Sequence, residues 1–198
     1  MNIIMTGSTS FVGAATVREL LRRGHTVTAI VRPKSSKLDT ILEGNEEALL
    51  SGRLLVTEND LSEPERLLEK VTKPQDVFCH FGWGGSGSAS RTDKALQEKN
   101  MEISLETVRT AEALGCSKFL FSGSQAEYGM HQDLIKEDTV CEPKSLYGEA
   151  KLAMREKGEK LCGELGLRYI HARIFSSYGP GDHPWTLVES CLRTFCAG

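Results

Sequence analysis

The feature of this sequence that most restricts its fold is the alternation of short apolar, β-branched runs with longer segments of helical pattern. The short runs predict strands at residues 2–5, 26–31, 54–57, 76–80, 119–122 and 168–175. The longer segments predict helices at residues 11–23, 62–71, 92–114 and 146–165. The third of the strands is followed by Ser62 and Glu65, which match a capping box and set the predicted start of the helix at 62–71.

Strands that alternate with helices indicate βαβ units and therefore a parallel sheet. The predicted fold class is α/β, a doubly wound parallel sheet with helices on both faces. In such folds ligands bind outside the carboxyl ends of the strands, so the loops that follow the strands carry the functional information. One of these loops, residues 82–90, is rich in glycine and serine and is expected to be flexible.

Composition excludes several classes of function. The net charge of -3 gives no basic surface for nucleic acid and no polybasic membrane patch. No apolar run approaches the roughly 20 residues that span a bilayer, and the N-terminus lacks the charged region of a signal peptide. The six cysteines form no CxxC pair, which favours buried, reduced thiols in a cytoplasmic protein. The histidines lack metal-ligand spacing, so no metal site is predicted.

The first predicted strand runs into a glycine-bearing loop, TGSTSFVG, that opens a helix. Such a loop offers free backbone N–H groups and a positive helix end to a pyrophosphate. Gly7 is expected to allow the tight turn, and Gly13 to allow close packing of helix on strand. Ser10 occupies the place of a middle glycine, and its hydroxyl is expected to donate to phosphate. The alternative is a plain glycine-containing turn, but the position at the first strand favours a dinucleotide-binding Rossmann fold.

Two further positions bear on the cofactor, which is predicted to be NAD(P). No carboxylate ends the second strand, where one would bind the ribose 2′-hydroxyl. Val31 stands there and Arg32 follows, and a guanidinium suits a 2′-phosphate. NADP is therefore preferred over NAD, although Arg32 could also stack on adenine or face solvent. Asp60 follows the third strand and either bonds the adenine amino group or complements a helix dipole.

Tyr147 and Lys151 are four residues apart on a predicted helix, so both side chains lie on one face. The lysine cation, with an oxidised nicotinamide, is expected to lower the pKa of Tyr147 by roughly 3 units, which requires about 4 kcal/mol. Such a tyrosine can act as an acid or a base. Ser124, predicted just past the fifth strand, can bond the oxygen that gains or loses a proton. Alone, the tyrosine–lysine spacing would indicate only a surface pair. Together with Ser124 and the glycine-bearing loop at residues 6–13, called the phosphate loop below, it predicts a carbonyl/alcohol redox site.

Taken together, the motifs resemble an extended short-chain dehydrogenase/reductase of the NAD-dependent epimerase/dehydratase family. The resemblance covers nearly the whole chain and rests on these segments, in this order: TGSTSFVG, Asp60-Leu61, CHFGW, Asn100, SGSQAEYG, YGEAK and RIFSSYGPGD.

The resemblance implies a role for each matching position. The pyrophosphate would be held by Gly7, Ser10, Phe11, Val12 and Gly13. The adenine would be held by Asp60 and Leu61, and the ribose and pyrophosphate would be lined by Phe81, Gly82 and Trp83, with Asn100 in support. Catalysis would fall to Ser124, Tyr147 and Lys151, the last also bonding the nicotinamide ribose. The nicotinamide and substrate would be bordered by residues 175–178, beginning with Phe175.

Some positions depart from the family pattern. Gln125 and Ala126 stand where sugar-nucleotide dehydratases carry an Asp-Glu pair, which argues against dehydration. Ser176 and Ser177 replace a common Asn-Pro, which alters an expected substrate contact. Relatives continue into a smaller substrate-binding subdomain that is expected to be largely missing here. The predicted domains are a cofactor-binding and catalytic domain at 1–175 and the start of that subdomain at 176–198.

The implied function is an NAD(P)-dependent epimerase or ketoreductase that acts on a secondary alcohol or ketone. A nucleotide sugar is the expected substrate, and a homodimer is a possible assembly. The alternative is a non-catalytic NADP-binding sensor or regulatory protein. Such proteins usually lose the catalytic residues, whereas Ser124, Tyr147 and Lys151 are all present.

Overall fold

The computed structural model describes residues 1–85 and 89–196. Within these residues six parallel strands form one sheet in the order β3-β2-β1-β4-β5-β6. The strands are β1 (Asn2–Thr6), β2 (Thr26–Val31), β3 (Leu54–Glu58), β4 (Val77–His80), β5 (Lys118–Ser124) and β6 (Arg168–Ile174). The chain moves outward through β3 and then returns to the centre at β4. This reversal leaves a crevice at the carboxyl ends of β1 and β4.

Helices cover both faces of this sheet. They are α1 (Phe11–Arg22), α2 (Asp39–Leu42), α3 (Glu46–Leu50), α4 (Leu67–Lys70), α5 (Lys94–Ala113), α6 (Leu146–Glu164) and α7 (Leu187–Cys196), counted over the described residues. Short 3₁₀ segments lie at Pro64–Arg66, Ala89–Thr92 and Gln125–Glu127. The predicted α/β fold class is confirmed.

Two apolar clusters, one on each face, hold the layers together. Ile3 and Met5 of β1 point to one face, where they join Val17 of α1 in the first cluster. Ile4, between them in sequence, joins the other cluster with Val108 of α5. Because neighbouring residues of a strand point to opposite faces, a strand buried on both faces must be apolar throughout. This is why the short apolar runs predicted the sheet.

The predicted helix at 62–71 is confirmed only in part, because its capping-box start at Ser62 is wrong. The chain forms the 3₁₀ turn at Pro64–Arg66 and then only the four-residue α4. Ser62 does not cap a helix, because its N–H and hydroxyl both donate to the Asp60 carboxylate. The sequence did not predict the two short helices α2 and α3, which lie between β2 and β3, or the helix α7.

Three features of the composition can be compared with the structure. In the described residues no helix is long and apolar enough to cross a membrane. Cys79, Cys116 and Cys162 are buried, but the predicted burial is wrong for Cys191 and Cys196, which are exposed on α7. The flexible segment expected at 82–90 includes residues 86–88, which lie outside the described residues.

Candidate active site

The phosphate loop between β1 and α1 is built around two glycines. Gly7 has a φ of +68°, and a Cβ there would lie 2.7 Å from the carbonyl carbon of Phe81. A Cβ on Gly13 would lie 2.1 Å from the carbonyl oxygen of Gly7. Any side chain at either position would push the loop away from α1 or from the end of β4.

Ser10 is the N-cap residue of α1. Its hydroxyl donates to the Gly7 carbonyl oxygen at 2.7 Å and accepts from the Gly13 N–H at 3.1 Å. The single hydroxyl proton of Ser10 is thus used inside the loop, and donation from this hydroxyl to phosphate stays a prediction. Among the described residues, the N–H groups of Phe11 and Val12 have no hydrogen-bond partner. These two groups, at the positive end of α1, are what the loop offers to an anion.

The loop after β4 adjoins the phosphate loop. The Gly82 N–H donates to the Thr6 hydroxyl at 3.2 Å. A Cβ on Gly82 would lie 2.6 Å from Cδ1 of Leu61, so the Leu61 side chain occupies that space. Asn100 of α5 bonds both the N–H and the carbonyl oxygen of Gly84, each at 2.9 Å. The structure thus brings Leu61, Gly82 and Asn100 together beside the phosphate loop.

Asp60 and Arg32 are exposed at the outer end of the crevice. One oxygen of the Asp60 carboxylate accepts from the Ser62 hydroxyl at 2.6 Å and the Ser62 N–H at 2.9 Å. These bonds hold the pKa of Asp60 below its usual value, and the charges of Lys99 and Arg32 act in the same direction. Arg32 is therefore close enough to Asp60 for their charges to interact.

Tyr147 and Lys151 lie on the first turns of α6, which begins at the cap formed by Ser145. The Lys151 nitrogen is 5.7 Å from the centre of the Tyr147 ring. Lys151 is only 2% exposed, and its ammonium donates to the Ser122 carbonyl oxygen of β5 at 2.8 Å. The fold therefore anchors the lysine to the strand that ends in Ser124.

Aromatic rings enclose the lysine. Its nitrogen lies 3.9 Å from the centre of the Trp83 ring and 4.5 Å from that of Phe121. Trp83 also meets the Tyr147 ring edge-on, with 6.2 Å between ring centres. Trp83, expected to line the ribose and pyrophosphate, thus packs directly against the tyrosine–lysine pair.

The pKa values of this pair differ from the expectation. Burial lowers the pKa of Lys151 to about 7, although the charge of Glu127 opposes the change. Burial raises the pKa of Tyr147, while the Ser124 hydroxyl and the charge of Arg91 act against that rise. The expected lowering is therefore not supplied by the protein's own residues. The two cations nearest the phenol differ in effect. The charge of Arg91 favours the phenolate of Tyr147. Burial disfavours the charged form of Lys151.

Ser124 is the last residue of β5, whereas the sequence placed it just past the end of that strand. Its hydroxyl accepts from the Ala126 N–H at 3.2 Å, which leaves the hydroxyl proton free to donate. The side chain is 8% exposed and close enough to Tyr147 to influence the pKa of the phenol. Ser124, Tyr147 and Lys151 are thus brought together at the carboxyl end of β5.

Phe175 lies just beyond the end of β6 and is 45% exposed. Its ring is 5.9 Å from that of Tyr128, centre to centre. A cavity of about 850 Å³ lies between the phosphate loop and residues 177–181. It is lined by Ser10, Phe11 and Val12, and its lining does not include Tyr147 or Lys151. The cavity therefore reaches the phosphate loop but not the tyrosine–lysine pair.

Sequence reasoning assigned no function to two side chains of the site. The Arg91 guanidinium is 4.8 Å from the centre of the Tyr147 ring. Glu127, three residues after Ser124, is fully buried and accepts a hydrogen bond from the Ser124 N–H. A glutamate inside the otherwise uncharged segment SGSQAEYG was the one available signal for the second of these.

The arrangement fits a dinucleotide with a reacting group beside its nicotinamide end. The open N–H groups of Phe11 and Val12 suit phosphate oxygens, and the close approach at Gly7 and Gly13 keeps the loop compact. Tyr147 and Ser124 offer a phenol and a hydroxyl at one edge of the sheet, with the Lys151 ammonium beneath them. Such a set can exchange a proton with an alcohol or carbonyl oxygen.

Comparison with known proteins gives an independent result. The sequence model of the NAD dependent epimerase/dehydratase family matches residues 3–197. The chain is 30% identical to a D-erythronate dehydrogenase of Cupriavidus necator over 178 residues, which cover 88% of this chain and 53% of that protein. It is 26% identical to a UDP-glucose 4-epimerase of Lacticaseibacillus casei, covering 100% of this chain and 60% of that protein.

Among solved structures, the fold is similar to that of a UDP-glucuronic acid 4-epimerase from Bacillus cereus in complex with NAD. The TM-score is 0.77 at 21% identity, and the match covers 100% of this chain and 64% of that one. The chain thus spans between about half and two thirds of the length of these relatives. Because that relative holds NAD, the comparison does not support the NADP preference inferred from Arg32.

Proposed function

The chain belongs to the NAD dependent epimerase/dehydratase family, and on that basis we propose that it carries the cofactor-binding and catalytic part of an enzyme that oxidises or reduces a secondary alcohol or ketone of a nucleotide sugar. UDP-glucose 4-epimerases among its relatives support the nucleotide sugar as substrate. The D-erythronate dehydrogenase supports the same chemistry on a smaller sugar acid.

The observation that carries this proposal is the meeting of three groups at the end of β5. The Lys151 nitrogen is 5.7 Å from the Tyr147 ring centre, and it is bonded to Ser122, two residues before Ser124. A buried amine, a half-buried phenol and a free hydroxyl proton in one place have a clear use in proton transfer. None of them is needed for binding a dinucleotide at the phosphate loop.

We assign the roles as follows. The bound nicotinamide would accept or return a hydride. Tyr147 would take the proton from the substrate hydroxyl, or give it to the ketone oxygen, and Ser124 would donate a hydrogen bond to that same oxygen. Lys151 would hold the nicotinamide ribose through the N–H groups that Ser122 does not use. Phe11 and Val12 would hold the pyrophosphate.

Within the family, we propose epimerisation or ketone reduction rather than dehydration. Removing water from a sugar needs a further acid and base beside the hydroxyl that starts the reaction. Gln125 and Ala126 directly follow Ser124 and supply neither. Gln125 can donate and accept hydrogen bonds but does not exchange a proton.

Arg32 supports NADP as the cofactor, whereas the solved relative holds NAD. The exposed guanidinium at the end of β2 would pair with a 2′-phosphate, and no carboxylate ends β2 to select the 2′-hydroxyl. Fluorescence titration with NADH and with NADPH decides between them. Binding of neither would contradict the proposal as a whole.

The Tyr147→Phe variant tests the proposed function. The substitution keeps the ring that packs on Trp83 and removes only the hydroxyl, so cofactor affinity should stay within about twofold of the wild type. Turnover should fall by about 10²–10⁴-fold, the usual worth of general acid–base catalysis. The substrates to use are UDP-glucose, UDP-glucuronic acid and D-erythronate, each followed by nicotinamide absorbance or by product analysis. Wild-type turnover retained in this variant would remove Tyr147 from the mechanism.

A further inference from the structure

Glu127 is a buried carboxylate for which the proposed reaction has no direct use. It is fully buried, and each partner it has among the described residues is a donor. One oxygen accepts from the Ser124 N–H at 2.7 Å, and the other accepts from the Arg173 guanidinium at 2.9 Å. The His171 ring nitrogen Nε2 lies 2.9 Å from both oxygens. These bonds, with the charges, hold the pKa of Glu127 below its usual value despite the burial, so it is ionised at neutral pH.

The two side-chain partners of Glu127, His171 and Arg173, come from β6, the strand beside β5. Arg173 continues outward to the Tyr128 hydroxyl and the Glu137 carbonyl oxygen. His171 continues inward to the Tyr169 hydroxyl at 3.0 Å, and that hydroxyl is bonded to the Met154 carbonyl oxygen of α6. Both side chains that hold the carboxylate are therefore themselves held in place by further hydrogen bonds.

The backbone makes room for this arrangement. A Cβ on Gly123 would lie 2.4 Å from His171 Nε2 and 2.6 Å from the Glu127 carboxylate. The strand residue immediately before Ser124 must therefore lack a side chain for the histidine and the glutamate to meet.

The segment that Glu127 holds also touches the helix of the tyrosine. A Cβ on Gly148, the neighbour of Tyr147, would lie 2.5 Å from the Ala126 carbonyl oxygen. The 3₁₀ turn at Gln125–Glu127 is thus wedged between β6 and the start of α6. Its position sets how Ser124 stands relative to Tyr147.

We propose that Glu127 is a positioning residue, whose carboxylate fixes the backbone of Ser124 and thereby aims the Ser124 hydroxyl at the oxygen that exchanges a proton with Tyr147. The inference rests on the proposed function, since it assigns the means by which Ser124 is placed for that reaction.

Glutamine cannot replace the carboxylate here. Its amide has one oxygen and one NH₂ group, and the two sites they would occupy both face donors, Ser124 N–H on one side and Arg173 on the other. Either orientation sets an N–H against an N–H. Glu127→Gln therefore releases the Ser124 backbone or the Arg173 guanidinium with almost no change in volume.

The test compares Glu127→Gln in two backgrounds. In the wild-type background it should lower kcat by about 10–100-fold, the usual result of misplacing a catalytic group by about 1 Å, and leave the affinity for NADH within about twofold. In the Ser124→Ala background it should lower kcat by less than about twofold, because the hydroxyl it positions is gone. Val108→Ala, on the core-facing side of α5, is the control for lost stability and should keep wild-type kcat.

Crystal structures of the wild type and Glu127→Gln supply a second measurement that needs no substrate. The separation of the Ser124 and Tyr147 side-chain oxygens should change by about 1 Å or more. An unchanged separation, equal losses of kcat in both backgrounds, or a kcat matching that of Val108→Ala would each overturn the inference. Failure of the proposed function is distinct, because it would be seen as retained turnover in Tyr147→Phe.

Discussion

The ammonium nitrogen of Lys151 lies 3.9 Å from the centre of the Trp83 ring, inside a wall of aromatic carbon where it is 2% exposed. Its hydrogen-bond acceptor among the described residues is the Ser122 carbonyl oxygen. A charge in such a place costs stability, and the pKa of about 7 expresses that cost. Because the buried charge of Lys151 lowers the stability of the fold, we expect this residue to serve function rather than stability.

The first prediction follows from this cost. Replacing Lys151 with methionine should remove turnover and stabilise the fold relative to the wild type more strongly at pH 6.5 than at pH 9.5. The penalty for the buried charge is fully present below the folded pKa of about 7 and fades as the pH rises toward the ordinary value of 10.5. Thermal unfolding should show a difference in relative Tm of about 5 °C between the two pH values.

Lys157→Met, at an exposed position of the same helix, is the control for this prediction. Its Tm relative to the wild type should be nearly the same at both pH values. A relative Tm of Lys151→Met that does not change with pH would contradict the buried-charge explanation.

The second prediction concerns the phosphate loop. Gly13→Ala places a methyl group 2.1 Å from the Gly7 carbonyl oxygen, so the loop must move away from α1. Affinity for NADH should fall by more than about tenfold, and unfolding free energy by about 1–3 kcal/mol. Fluorescence titration and thermal unfolding measure the two effects.

Gly163→Ala is the matched control, because Gly163 is also helical and a Cβ there meets nothing within 4 Å. It should leave NADH affinity unchanged and add up to about 1 kcal/mol of stability. Equal NADH affinities in the two variants would show that close packing at Gly13 is not needed for binding.

The third prediction concerns Arg91, which favours the phenolate of Tyr147 from 4.8 Å away. Alcohol oxidation needs the phenolate, so its rate rises as the pH passes through the pKa of Tyr147. Removing the cation raises that pKa, and the rising limb of the pH–rate profile should therefore move to higher pH in Arg91→Ala. The groups that also face the phenol, namely Ser124, Glu127 and Lys151, are unchanged.

The pH–rate profile of Arg91→Lys provides the internal comparison. Because Arg91→Lys keeps the positive charge, it should shift the rising limb of the profile less than Arg91→Ala does. A limb that moves to lower pH in Arg91→Ala would contradict the assignment of that limb to Tyr147.

The fourth prediction concerns Arg32 and the choice of cofactor. If Arg32 pairs with a 2′-phosphate, Arg32→Ala should weaken NADPH binding by about tenfold or more, as expected for a lost charge-assisted hydrogen bond. NADH binding should change by less than about twofold. A wild type that binds NADH more tightly than NADPH would overturn the NADP preference while leaving the catalytic proposal intact.

Much of the sheet could be predicted because its strands are buried on both faces. A strand such as β2 (Thr26–Val31) can then be recognised from its own residues. The helical segment predicted to start at Ser62 starts only at Pro64, because capping by Ser62 competes with two stronger local effects. Asp60 takes both donors of Ser62, and Pro64 follows two residues later.

In the site, the sequence predicted the glycines of the phosphate loop and a meeting of Ser124, Tyr147 and Lys151, because spacing along a helix and position after a strand are local properties. The capping role of Ser10 was not predicted, because a serine before a helix can cap it or bind a ligand with the same hydroxyl. Only the geometry shows that the cap uses its proton.

By itself, the sequence determined the six strands, the glycine-bearing turn and the tyrosine–lysine spacing, since each depends on residues a few positions apart. The tertiary structure decided what surrounds these residues. Glu127 meets His171 and Arg173, 44 and 46 residues away, and Lys151 meets Ser122, 29 residues away. Such contacts form only when β5, β6 and α6 pack side by side. Burial in that packing, and not residue type, is what moves the pKa of Lys151 to about 7 and that of Tyr147 above its ordinary value.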